Sequence, residues 1–183
     1  MMNVQRNVES RSSDLSRSHT AIFDVQSAPL KRALSTNRLC GRRVKLLPLE
    51  AMLDIVDQLP NLELMEYYGY GEPFLHKDHV RFLRNVRRRR PEVRIVTNTN
   101  GTVMTPDQIQ SIASESLLDR IVFSIDGATA ESYRKYRVGG TFAKAIGKMK
   151  TLTEACRAAG TWRRYDPRRR SGVQITWQYI LFE

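Results

Sequence analysis

From Leu47 onward the apolar residues fall into blocks that alternate between helical and extended spacing. Leu49, Met52, Leu53, Val56 and Leu59 lie at helical spacing between Pro48 and Pro60, which predicts one amphipathic helix. LELMEYYG (62–69) follows as a strand. A second helix, over 78–90, carries Val80, Leu83 and Val86 inward and ends in the run Arg87 to Arg90 before Pro91, since the residue ahead of a proline disfavours helical geometry. VRIVTN (93–98) is the next strand. Thr105-Pro106-Asp107-Gln108 opens a third helix with a capping threonine, a first-turn proline, an early acid and a glutamine placed to complete a capping box. Ile109, Ile112 and Ala113 form its apolar side. IVFSID (121–126) begins almost wholly apolar, as a parallel strand buried on both faces does. Thr141 is the expected cap of a long helix with Phe142, Ile146, Met149, Leu152 and Cys156 on one stripe, and VQITWQYILF (173–182) is the last strand.

The strand ends at Gly69, Asn98 and Asp126 are 29 and 28 residues apart, the period of a βα unit. Repeated units of this kind require a parallel sheet with right-handed crossovers, open or closed, and in both forms ligands sit at the carboxyl ends of the strands. The unusual residues collect there: GYGEP after the first strand, TNTNGT (97–102) after the second, SIDG (124–127) after the third. Glycine, asparagine and aspartate are also ordinary turn residues, so each loop alone has a plain reading as turn chemistry. Three such loops at one edge point to a ligand site.

The first 45 residues lack this order. Residues 1–19 are polar, rich in serine and arginine and without period, the composition of a disordered tail. TAIFDVQ (20–26) reads as a short strand and residues 27–45 as a long loop. The expected organisation is therefore an irregular, partly disordered segment over 1–45 and a patterned core over 46–183. The chain stops directly after an apolar strand with no helix behind it, the pattern of a fragment.

Composition narrows the function classes. With 183 residues, 41% of them hydrophobic, the chain can build one domain with a sizeable core. A net charge of +11 and a pI near 10.1 favour nucleic acid, anionic lipid or an acidic substrate. Arg87 to Arg90 and WRRYDPRRR (162–170), where Trp162 and Tyr165 interleave with arginines, support an RNA-binding reading; the plain alternatives are a helix end favoured by its dipole and a charged loop. Two cysteines argue against a disulfide scaffold and for a reducing compartment. No run approaches the ~18 apolar residues of a membrane helix, and the amino terminus has no apolar core for a secretory signal, so a cytoplasmic protein with no membrane partner is expected.

YGYGEPFLH, TNTNGT and SIDGATAESYRKYRVGGTF, at these intervals, resemble the core of a radical S-adenosylmethionine enzyme, from the SPASM-associated branch in which a second cluster-binding domain often follows. The resemblance covers residues 47–183 and rests on the set of motifs, each weak alone. It implies an α/β fold, a partial (β/α)6 TIM-like barrel with parallel strands, here incomplete at the C-terminus, with a [4Fe-4S] cluster and S-adenosylmethionine across its top. The family's glycine-glycine-glutamate-proline signature falls on Tyr70, Gly71, Glu72 and Pro73, with Gly69 before them, and implies that this turn binds the amino group of the methionine moiety. A carboxylate suits an ammonium donor. Tyr70 stands where the family often has glycine. Asn98 and Asn100, then Ser124 and Asp126, match polar strand ends lining the cosubstrate pocket, and Gln178 falls on the ribose side. The plain alternative for Glu72 is that it caps a neighbouring helix while Pro73 stops the strand.

The family's cluster takes three thiolates from a C-x3-C-x2-C loop. This chain has no such motif: Cys40 lies in the corresponding loop, but the family spacing places Asn37 and Ala33 where the other two thiolates belong. Cys156, on a helical apolar stripe, reads as a buried structural thiol. His19 and His76 are lone histidines, and His76 is expected to pack beside the Glu72 turn. The first 45 residues are then either aberrant on an ordinary core or part of a relative that has lost redox chemistry. An intact version would, by resemblance, take an electron from a reductant protein, cleave S-adenosylmethionine and abstract hydrogen from an unidentified substrate. The rival functions are a redox-inactive module binding an adenosyl ligand and a basic RNA-binding protein.

Overall fold

The computed structural model describes residues 19–23 (as backbone), 46–68, 71–164 and 171–179. Cys40, Asn37, Ala33, the 27–45 loop, Gly69, Tyr70, Tyr165 and the end of the last predicted strand lie outside the described residues. The chain divides into two compact units, residues 1–95 and 96–183.

In the first unit, β1 (His19–Phe23) pairs parallel with β2 (Leu62–Tyr67). Helix α1 (Leu49–Asp57) buries Leu49, Met52, Leu53 and Val56, the stripe its spacing predicts. After β2 comes a single 3-10 turn, Pro73–Leu75, then α2 (His79–Arg89). Leu83 and Val86 are buried in α2 as the spacing predicts, His79 and Phe82 join them, and Val80 is only half-buried. The arginine run closing α2 is occupied within the protein. Arg87 donates to the Val93 carbonyl at 2.6 Å, Arg88 to Asn85 at 2.7 Å and Arg90 to the Pro60 carbonyl at 2.9 Å, while Arg89 pairs with Asp57.

The second unit orders its strands β3 (Arg94–Thr99), β4 (Arg120–Ser124), β6 (Val173–Gln178), β5 (Trp162–Arg163), with every pairing parallel. Ile121, Val122 and Phe123 are buried in succession, so β4 is covered on both faces as its apolar run requires. Helix α3 (Pro106–Glu115) starts with the full capping box: the Gln108 amide donates to Thr105 Oγ1 at 3.2 Å, and the Thr105 amide to Gln108 Oε1 at 2.8 Å. Thr105→Ala is expected to lower unfolding stability by about 1 kcal/mol, read from urea denaturation; an unchanged midpoint would show that the box contributes nothing.

A short helix, α4 (Ala130–Tyr136), precedes the long α5 (Phe142–Ala158). Thr141 occupies the N-cap position of α5, yet its side chain makes no capping hydrogen bond there. Buried Ala145 joins Leu152 and Cys156 on its inner side, with Phe142, Ile146 and Met149 half-buried. The last strand is β6, Val173–Gln178, buried at its start and exposed at its end, where Trp177 is 39% exposed. No helix among the described residues is long and apolar enough to cross a membrane.

Candidate functional site

The glycine signature ends in a buried acidic turn in the first unit. Glu72 has extended backbone, is 9% exposed, and accepts the Phe74 amide on Oε1 at 3.4 Å. It therefore N-caps the 3-10 turn, the plain alternative that the sequence offers. Pro73 and Phe74 are buried, and the turn closes through Leu75 donating to the Glu72 carbonyl and His76 to the Pro73 carbonyl.

Two histidines stand behind this turn. His76 is buried, as expected beside it: Nδ1 accepts the Asp78 amide at 3.1 Å, which makes Nε2 the protonated nitrogen, donating to the Leu47 carbonyl at 2.8 Å. His79, which the apolar spacing does not single out, is fully buried. Its ring lies 4.4 Å from that of Phe74 and 5.3 Å from that of Tyr67, and neither ring nitrogen has a hydrogen-bond partner among the described residues. Burial, reinforced by neighbouring His76, lowers its pKa to about 3.

The carboxyl edge of the second unit holds the remaining predicted residues. Asn98 is half-buried on β3, between buried Thr97 and Thr99. Asn100 Oδ1 accepts the Thr102 amide at 2.8 Å and hydroxyl at 2.6 Å, so this side chain shapes the turn. Gly101 in that turn has φ +73°, a left-handed conformation that excludes most side chains. Ser124 and Gln178 are register partners on β4 and β6, and the strands stay joined past them: the Ile125 amide donates to the Gln178 carbonyl at 3.0 Å, and Trp177 Nε1 to the Ile125 carbonyl at 3.1 Å.

Asp126 ends this edge in an ion pair that the sequence motifs do not reveal. Arg137 Nε donates to Asp126 Oδ2 at 2.7 Å, and the same guanidinium donates through Nη2 to the Ser124 carbonyl at 3.1 Å. Arg137 is the C-cap of α4, which begins with a second capping box, between Thr129 and Ser132. The signal is present in TAES, with a serine where the usual box has Glu or Gln. Gly127 makes the close return of α4 feasible, since a Cβ there would overlap the Tyr133 amide nitrogen and lie 2.7 Å from the Tyr133 Cα. Burial raises the Tyr133 pKa, Arg137 opposes that shift and Asp126 adds to it, so the phenol shares this cluster's field.

No group of three or more metal-binding side chains occurs among the described residues. Cys156 is buried on α5, and burial raises its thiol pKa, the reverse of what a thiolate ligand needs. The chain's two cysteines are too few for the three-thiolate cluster site.

The radical SAM superfamily family model matches residues 37–164, most of the chain. The chain belongs to the radical SAM superfamily. Its α/β order with parallel strand pairing is that of the superfamily's partial TIM-like fold. Among curated relatives, the "Tungsten-containing aldehyde ferredoxin oxidoreductase cofactor-modifying protein" of Pyrococcus furiosus is 29% identical over 56% of this chain and 34% of its own. "Mycofactocin maturase MftC" of Mycobacterium ulcerans is likewise 29% identical, over 56% of this chain and 27% of its own. The radical SAM chain thus spans about a third or less of the length of these relatives. A crystal structure of BtrN in complex with AdoMet and 2-DOIA superposes with a TM-score of 0.47, at 16% identity, over 74% of this chain and 46% of that one.

Proposed function

We propose that this radical SAM chain is a cosubstrate-binding core that takes S-adenosylmethionine, with the Glu72 turn receiving the methionine ammonium. Superfamily membership carries the assignment. The residues present fit such a guest in kind. Glu72 is a buried carboxylate, and an ammonium is a charge-assisted donor to such a group. Ser124, Asp126 and Gln178 supply hydroxyl, carboxylate and amide groups suited to the hydroxyls of a ribose, with Asn98 and Asn100 nearby on β3 and its turn. Gly69, Tyr70, Gly71 and Pro73 complete the signature around Glu72.

A [4Fe-4S] cluster does not fit this chain's own thiols, so binding of the cosubstrate, and not its reductive cleavage, is the activity assigned to these residues. The superfamily's radical chemistry, with its reductant and substrate, belongs to a version whose cluster ligands are complete. RNA binding draws less support, because the arginines closing α2 are engaged within the protein.

Calorimetric titration with S-adenosylmethionine tests the assignment. Wild-type protein is expected to bind, and Glu72→Gln to bind roughly 10-fold more weakly or worse, as loss of a hydrogen bond between charged groups implies. The same variant should leave 5′-methylthioadenosine, which lacks the amino acid moiety, unaffected. No binding by the wild type at millimolar ligand would sink the proposal.

A further inference from the structure

The phase of the hydrogen bonds along β6 decides which main-chain groups point away from the sheet. The Gln174 amide donates to the Asp119 carbonyl at 2.9 Å and the Gln178 carbonyl accepts from the Ile125 amide at 3.0 Å, so Gln174, Thr176 and Gln178 turn their main-chain groups toward β4. On the other side, the Val173 amide donates to the Thr161 carbonyl at 2.7 Å. Ile175 and Trp177 share the phase of Val173 and face the outer edge. Strand β5 covers only the start of that edge, because its last residue, Arg163, pairs with Gln174. Past Gln174 no strand among the described residues pairs with the outer edge of β6.

Sheet edges exposed to water are ordinarily blunted by lysine, proline or a bulge. Residues 175–179, Ile-Thr-Trp-Gln-Tyr, contain neither lysine nor proline, favour extended backbone, and keep register with β4 without a bulge as far as Gln178. Trp177 and the 49% exposed Tyr179 hold their rings 6.1 Å apart, beside main chain that is free to pair. Charge sets the kind of partner. Neither β5 nor β6 contains an aspartate or glutamate; exposed Arg164 follows β5 directly, and exposed Arg157 lies over the Trp162 ring at 4.9 Å from its centre. By sequence, the chain joining β5 to β6 carries four arginines against one aspartate. A second copy would bring the same cations to the same edge, and a net charge of +11 on each chain opposes that pairing.

We propose that the outer edge of β6 is a docking strand for an extended acidic segment of a partner protein. The segment adds to the sheet beyond Gln174 through main-chain hydrogen bonds to Ile175 and Trp177, with its alternate apolar side chains on Trp177 and Tyr179 and its carboxylates toward the arginines at the β5 end. In strand addition the main chain supplies the affinity and the side chains select the partner.

Fluorescence anisotropy of a labelled Glu-Val-Glu-Val-Glu-Val peptide with the full chain tests the inference. This peptide is expected to bind, and its counterpart with lysine in place of glutamate to bind at least about 10-fold more weakly, as like-charge repulsion requires. Two N-methylated versions of the acidic peptide, one blocked at the glutamates and one at the valines, separate strand addition from general attraction, because amides of only one phase face the sheet. One version is expected to bind like the parent and the other about 10-fold more weakly. Equal binding by the two versions, equal binding by the lysine peptide, or no binding at millimolar peptide would overturn the inference. A dimer of the chain that the acidic peptide does not dissociate would also overturn it, giving the edge to a second copy. On the protein side, Trp177→Pro removes an outward amide that Trp177→Ala keeps, and proline is tolerated where the amide faces outward from an edge. The proline variant should bind the acidic peptide about 10-fold more weakly than the alanine variant, and equal affinities would refute main-chain pairing. If Trp177→Pro does not fold, the N-methylated peptides with the wild type decide the same point.

Discussion

Gly127→Ala is expected to destabilise the protein by about 3 kcal/mol, at the upper end of what overpacking costs. The atoms an added methyl would meet are the Tyr133 amide nitrogen, the Tyr133 Cα at 2.7 Å and the Ser132 carbonyl carbon at 2.8 Å, all backbone. A side chain could rotate away; the first turn of α4 can yield only by moving as a body, and its capping box and the Arg137 ion pair would move with it. Gly147, in the middle of α5, is the contrasting case. Nothing lies within 4 Å of a Cβ there, so Gly147→Ala should stabilise the helix by about 0.5–1 kcal/mol. Urea denaturation of the two variants measures both. A Gly127→Ala protein within about 0.5 kcal/mol of wild type would show that α4 does not pack on this strand end as described.

The second large effect is loss of stability in mild acid through His79. In the unfolded chain its imidazole takes a proton near pH 6.5. In the folded protein, burial with no partner for either nitrogen among the described residues holds that event down to about pH 3. The folded-state pKa therefore lies below the unfolded one, and the unfolded state binds more protons throughout the interval. The stability contribution is complete above pH 6.5 and is lost as pH falls toward 3, at about 1.4 kcal/mol per pH unit. His79→Leu removes the titrating group and its two unsatisfied polar atoms, so the variant is expected to lose this component of the slope and to match or exceed wild-type stability at pH 7. Urea midpoints between pH 4 and 7.5 would show it. Parallel slopes for the two proteins would mean that His79 is hydrated or partnered in solution.

Much of the fold is legible in the spacing of apolar residues, because long amphipathic helices and buried strands each impose a period. Leu49, Met52, Leu53 and Val56 face inward as spaced, and the box at Thr105 is formed by the residues that announce it. Short elements are less readable. Helix α4 has only seven residues, too few for a period to emerge, and its box carries serine in place of the longer polar residue. Thr141 shows the converse, a favourable cap residue whose side chain does not cap. His79 escapes the apolar pattern because histidine is read as polar, although its spacing to Phe82, Leu83 and Val86 places it on the buried side of α2.

The site residues divide along similar lines. Strand-end chemistry at Ser124 and Asp126 follows from the repeat, since the period fixes where that strand stops, whereas Gln178 lies inside the predicted last strand and closes the observed one. The Glu72 carboxylate and Asn100 amide each take a role in their own turn, and a motif alone does not distinguish a turn-forming polar group from a ligand-binding one. Arg137 is invisible to a search along the strands, because it reaches Asp126 only through the return of a helix eleven positions later.

The wiring of His76 carries one more implication. An imidazole coordinates a cation through a nitrogen with a lone pair to give, and here one nitrogen already receives the Asp78 amide while the other presents its hydrogen to Leu47. Iron or zinc offered from outside would have to break a link spanning 29 positions of chain to recruit that ring. Recruiting His76 to a metal would thus cost one of the two hydrogen bonds that hold its ring in place.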